Sequence, residues 1–251
     1  MLFVKKFIPY ILLLFTAFSC RKESTSAPGS LQNSYANQGL GASAKDMLTS
    51  NTYTSIAIQV LYMPGYPLEA TTLTNVTAYL NGICNKPGGI TISQAETAAN
   101  GDTLNVNQVA VIESQNRTAY NNGNTLAIYV LVTDGYDTSG AVLGFAYRCT
   151  SICLFGENIY THSGGLGEVS REALESSVLE HELGHIMGLV NLTTPMVTDH
   201  QDVAHGYHCS NPNCLMYYAM ETNDALGMIG ANNIPTLDSN CLNDLHANGG
   251  K

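Results

Sequence analysis

The stretch His181-Glu182-Leu183-Gly184-His185 decides how the rest of the chain is read. It places two imidazoles four residues apart, with a carboxylate beside the first. On an α-helix, positions i and i+4 lie on one face a turn apart, so both rings reach one metal ion. Glu182 then stands beside the coordination position left for water. A zinc peptidase needs this arrangement: the metal acidifies the water and polarises the scissile carbonyl, and the carboxylate takes the proton. The same pattern also occurs on ordinary helices, as a solvated face or a salt bridge. The preceding run, Arg171 to Glu180, is rich in helix formers and free of Gly and Pro. Leu174, Val178, His181 and His185 fall on one stripe at helical spacing, so the rings extend an inward-facing apolar face. Gly188 stands where such a helix ends in a left-handed turn.

A catalytic zinc takes three protein ligands and keeps one position open. His181, Glu182, His185 and Gly188 match the metzincin pattern HExxHxxGxxH, but Asn191, a poor zinc ligand, occupies the last position. Further on, the chain reads His208-Cys209-Ser210-Asn211-Pro212-Asn213-Cys214-Leu215-Met216. This resembles the archaemetzincin family, whose pattern continues HC-x4-C-x-M after the glycine bend. The resemblance implies a metzincin-like zincin of α+β class, with an N-terminal mixed sheet, an active-site helix and a small irregular C-terminal subdomain. It implies Zn2+ held by His181, His185 and His208, a bound water activated by Glu182, and residues 191–207 as an inserted loop. It also implies that Met216 packs beneath the imidazoles and that Tyr218 hydrogen-bonds a developing oxyanion. His200 and His205, inside the insert, stay open as alternative third ligands, partners behind the ligands, or ligands of a second metal. The family's second, structural zinc uses four cysteines ending in a CxxC. Cys209 and Cys214 are present, the CxxC is not, and only Cys241 lies downstream, so that set is incomplete.

At the start of the chain, Lys5 and Lys6 precede an apolar run from Phe7 to Phe18, followed by Ser19 and Cys20. A basic segment, a short apolar segment and small residues make a secretory signal, here residues 1–19. A cysteine at that point resembles a bacterial lipobox, so the mature chain is expected to begin at lipid-modified Cys20, as in a Bacteroidetes-like lipoprotein; an uncleaved anchor helix is the alternative. Residues 20–50, rich in Ser, Gly, Asn and Gln, read as a flexible tether, and residues 51–251 as the peptidase domain. The expected location is the outer membrane or cell surface, with the periplasmic face as an alternative.

Without Cys20, an even set remains: Cys84, Cys149, Cys153, Cys209, Cys214 and Cys241. In an oxidising compartment such a set points to disulfides. Cys209 with Cys214 and Cys149 with Cys153 are the expected local pairs, with free thiols or a structural zinc as the competing reading. Charged residues make up only 12% of the chain and the net charge is −10. With no Lys/Arg cluster in the mature domain, nucleic acid is excluded as a partner. A peptide or protein substrate and a monomer are expected. A non-catalytic surface binding lipoprotein with a structural zinc is the competing function.

Periodicity predicts a strand over Thr54–Met63, a helix over Leu73–Ile83 and a short strand or turn element over Val106–Glu113. Strands over Leu126–Asp134, Gly140–Tyr147 and Ile152–Gly156 then lead to the zinc helix, and short helices follow over Asn223–Gly230 and Asn240–His246.

Overall fold

The computed structural model describes residues 34–101, 103–229 and 233–251. The proposed signal sequence, Cys20 and the tether up to residue 33 lie outside the described residues. At the centre is a five-stranded mixed sheet of β1 (Ser55–Tyr62), β2 (Ile90–Glu96), β3 (Thr125–Thr133), β4 (Gly144–Arg148) and β5 (Ser151–Phe155), ordered β2-β1-β3-β5-β4. Strands β2, β1, β3 and β5 run parallel; β4 returns antiparallel to β5 and forms an edge. The principal helices are α1 (Ala44–Leu48), α2 (Ala70–Ile83), α3 (Val106–Asn116), α4 (Gly156–Thr161), α5 (Arg171–Ile186) and α6 (Ser239–Ala247).

The central strand β3 is covered on both faces, which is why it reads as an unbroken apolar run. Leu126, Ile128, Val130 and Val132 enter the larger core with Ile56, Ile58 and Val60 of β1 and with Val76 and Leu80 of α2. Leu174 and Val178 of α5 join that core, so the predicted stripe lies against the sheet. Tyr129 and Leu131 face a smaller core with Met63, Val109 and Phe155. Beyond α5 the chain is irregular: short 3-10 turns at Val203–His205, Tyr218–Glu221 and Asn223–Gly227, then α6. Among the described residues no helix is long and apolar enough to cross a membrane.

Four expectations need correction. Val106–Glu113 is helical. Asn105 accepts from the N–H groups of Asn107 and Gln108 while Gln108 accepts from the N–H of Asn105, a capping box that outweighs the β-branched valines. Glu113, in the last turns of that helix, is buried in the fold, accepting from Arg117 (2.8 Å), Ser151 (2.6 Å), Tyr147 (3.0 Å) and Arg148 (2.9 Å), and so fastens α3 to β4 and β5. The strand expected from Gly140 begins only at Gly144, and β2 lacks a sequence signal because most of its side chains are exposed.

The tether does not extend to residue 50. From Tyr35 the chain is packed: Met47 and Leu48 are in the larger core, Tyr35 donates to Asp46, and the Cys149 N–H bonds Gln38. Lys86 locks this segment by donating to the carbonyls of Asp46, Thr49 and Tyr53. The expected disulfides are absent among the described residues, where all six cysteines are buried thiols. Cys149 sits in the turn before β5 and donates to the Tyr35 carbonyl, while Cys153 points into the smaller core, so the two diverge. Cys209 and Cys214 join a larger group described below.

Candidate metal centre and active site

Helix α5 is buried from Ala173 to Ile186. Its regular turn puts the Nε2 atoms of His181 and His185 3.1 Å apart. His208 arrives from the loop and places its own Nε2 3.2 Å from that of His185. In a tetrahedral zinc site with Zn–N bonds near 2.0–2.1 Å, neighbouring donor nitrogens stand about 3.3 Å apart. The three rings therefore fit one zinc ion. Two of them have their tautomer fixed from behind: His181 Nδ1–H donates to the Leu215 carbonyl (2.7 Å) and His208 Nδ1–H to the His205 carbonyl (2.6 Å). That leaves the Nε2 lone pairs facing inward. Burial, then the neighbouring His208, pushes His181 down to about 3. Burial also holds His185 and His208 below the ordinary histidine value, so it favours the neutral form that a metal ligand needs.

Glu182 is fully buried beside them. Its Oε2 accepts from the Ala146 N–H of edge strand β4 at 2.6 Å, while Oε1 is buried with no hydrogen-bond partner. A buried carboxylate oxygen left open in this way is costly unless a ligand or water meets it. Burial, and next the charge of Glu221, raises its proton affinity well above the ordinary carboxylate range. The loop sequence explains the rest of the geometry. Helix α5 stops at Ile186, Gly188 turns left-handed at φ 71°, and Val190 and Asn191 follow at φ 53° and 64°. The chain thereby leaves the helix axis, and the Asn191 amide bonds Gln201 (3.1 Å) on the surface, away from the imidazoles. Met216 lies under the helix: a Cβ on Gly184 would collide with its sulfur, so a larger residue here requires the Met216 side chain to move.

The remaining histidines of the insert go elsewhere. His205 pairs with Asp202 (2.6 Å), stacks flat on Tyr218 with ring centroids 3.7 Å apart, and serves His208 only through its carbonyl. Tyr218 is thus beside the histidine site, on its rim. Glu221 is a residue the sequence reading did not single out. Its Oε1 lies 3.5 Å from His208 Nε2, and it forms one potential metal-binding group with His181, His185 and His208. No motif marks it; its position emerges only from the turn after Met216.

His200 builds a second cluster. Its Nδ1 is 3.3 Å from Cys209 Sγ, and its Nε2–H bonds Asp244 at 2.8 Å. His200, Cys209, Asp238 and Cys241 have donor atoms close enough to hold one ion, and Cys214 Sγ stands 3.6 Å from Cys241 Sγ. Zn–S bonds of 2.3 Å put tetrahedral sulfurs about 3.8 Å apart, so the Cys214–Cys241 separation suits one zinc, with Cys214 bordering the group of His200, Cys209, Asp238 and Cys241. The Cys209 and Cys241 sulfhydryls, with the N–H groups of Asp238 and Met216, pull Cys214 down to about 4. His200 thus stands among the cysteines of this cluster, with Asp244 orienting its ring.

A groove of about 280 Å³ runs along the edge strand, lined by Leu104, Val106, Val142, Gly144, Phe145 and Glu221, and reaches the histidine site at Glu221. No protein-family model matches the chain, and no curated protein sequence matches it. Among solved structures it is similar to an archaemetzincin from Methanopyrus kandleri (TM-score 0.47, 15% identity, covering 78% of this chain and 96% of that one). It is also similar to metalloproteinase-II from Bacteroides fragilis (TM-score 0.46, 16% identity, covering 80% of this chain). The chain spans 55% of the length of the latter.

Proposed function

We propose that this protein is a zinc-dependent endopeptidase of metzincin type, exported and held at the outer membrane by lipid on Cys20. The observation that carries the reading is the buried, unpartnered Oε1 of Glu182 beside three converging imidazole nitrogens. His181, His185 and His208 would hold the zinc, which would supply Lewis-acid polarisation of the scissile carbonyl and lower the pKa of the attacking water. Glu182 is the proton carrier. The Ala146 N–H fixes Oε2, leaving Oε1 to accept the proton from the attacking water and pass it to the departing amine. Its burial suits that task, because Oε1 is shielded from bulk water and has no protein partner competing for the proton. The peptide lies along the outer side of β4, the edge strand of the sheet, as an added extended strand. Tyr218, on the rim, donates to the developing oxyanion. The second cluster takes a structural zinc through Cys209, Cys214, Cys241 and His200, which fixes the loop that delivers His208.

The test is peptide-library cleavage with metal analysis, with and without a chelator. Glu182→Ala is expected to keep its zinc and lose about 10²–10⁴-fold in cleavage rate; a variant that cleaves as fast as the parent would refute the assignment. A second reading, a binding lipoprotein with a purely structural zinc, is favoured by one observation: Glu221 offers the histidine site a fourth protein donor.

A further inference from the structure

We propose that Glu221 is a built-in stopper of the histidine site: it fills the zinc's fourth position in the resting protein, and substrate must displace it. The inference rests on the peptidase reading above and adds regulation to it.

The carboxylate is where such a role requires it. With the three imidazoles at three corners of a tetrahedron, the fourth corner lies about 3.3 Å from each Nε2. Glu221 Oε1 stands 3.5 Å from His208 Nε2, and its donor atom falls within 4.8 Å of those of His181 and His185. Carboxylate oxygen is an ordinary zinc donor.

The backbone holds that carboxylate in place by imitating substrate. Leu143 N–H donates to the Glu221 carbonyl at 2.8 Å, and Asn223 N–H donates to the Ala141 carbonyl at 3.0 Å, flanking an antiparallel bridge between Val142 and Thr222. Thr222, between two 3-10 turns, thus makes a single β-bridge to Val142, on the chain leading into edge strand β4. Residues 221–223 use backbone groups that an incoming extended peptide would otherwise engage. One segment therefore both meets the fourth metal position and covers the chain just before the sheet edge. The pairing comprises only these two hydrogen bonds, and the Glu221 side chain is 29% exposed, so a peptide entering along the groove has access to it. Peeling the segment from Ala141–Leu143 would carry the carboxylate away from the imidazoles, free the fourth position for solvent and uncover the chain just before the edge for the peptide that displaced it.

The experiment uses the full chain loaded with Co2+ and titrated with azide, followed by the visible d–d bands of the cobalt. A filled fourth position resists the anion. The expected result is azide binding at least tenfold tighter in Glu221→Ala than in the parent, with Zn2+ bound at least tenfold more weakly by the variant. An azide constant that differs by less than tenfold, or an unchanged zinc affinity, overturns the proposal. Circular-dichroism melting verifies that the variant is folded, and Glu221→Gln, which keeps the side chain's size, gives the same comparison if the alanine variant melts early. Neither readout needs turnover. Failure of the peptidase reading therefore appears separately, as an absence of cleavage sensitive to Glu182.

Discussion

The two ligand clusters are built in opposite ways. The histidine site draws two candidate ligands from one buried helix, whose turn sets their spacing. The thiol site has no such frame. His200, Cys209 and Cys214 come from irregular chain, and only Cys241, with Asp244 behind His200, rides on α6. Elements framed by backbone hydrogen bonds hold their geometry without an ion, whereas loops gathered around an ion borrow their order from it. The first site should therefore lose chemistry when damaged, and the second should lose structure.

The largest expected effect follows from that contrast. Cys214→Ser should reduce the bound zinc from two ions per chain to one and cost on the order of 5 kcal/mol or more in stability. Structural zinc supplies ~10–16 kcal/mol in small domains. Atomic absorption and thermal melting measure both; full zinc content with an unchanged melting temperature would break the comparison. Next comes a control outside either cluster. Glu113→Ala leaves Arg117 buried without its carboxylate and should destabilise by about 3–5 kcal/mol with the zinc content unchanged, measured by denaturant titration.

Gly184→Ala should cost about 1–3 kcal/mol, because the new methyl meets the Met216 sulfur and must push either the helix or the turn below it. A shift of the His181 and His185 signals in an NMR spectrum would show that the pressure reaches the imidazoles; unaltered signals and stability would contradict the tight seat.

The smallest effect concerns Glu180, on the same helix, whose carboxyl burial pushes up to about 8. A folded-state value above the unfolded one means the folded chain binds more protons between about pH 4.5 and 8, so this group's contribution to stability falls as pH rises through that window. Glu180→Gln should gain roughly 1–3 kcal/mol over the parent at pH 8, and less at pH 6. An equal gain at both values would show that the carboxyl is not proton-linked.

What was legible in the sequence follows the same division. Regular elements carried their own signals: the alternation of β1, the unbroken apolar run of β3, and the stripe on α5 that ends in both imidazoles. The resemblance to the archaemetzincin pattern HC-x4-C-x-M also singled out His208, which the structure brings beside His185. The misses are where long-range contacts decide. Helix α3 was misread because its β-branched residues suggested a strand while a capping box starting from Asn, with few buried positions, set the outcome. Residues 35–48 looked like a tether by composition, yet a handful of apolar side chains and Lys86 dock them. Glu221 and the pairing of His200 with Cys241 join residues far apart along the chain with no shared motif, and folding alone brings them together.

The most direct test of the central claim is an anomalous-diffraction map at the zinc edge from crystals of the full chain. The account predicts one peak about 2.0–2.1 Å from the Nε2 atoms of His181, His185 and His208, and another about 2.3 Å from the sulfurs of Cys209, Cys214 and Cys241. A map with no peak between the three imidazoles, or with those rings turned away from one another, would contradict it.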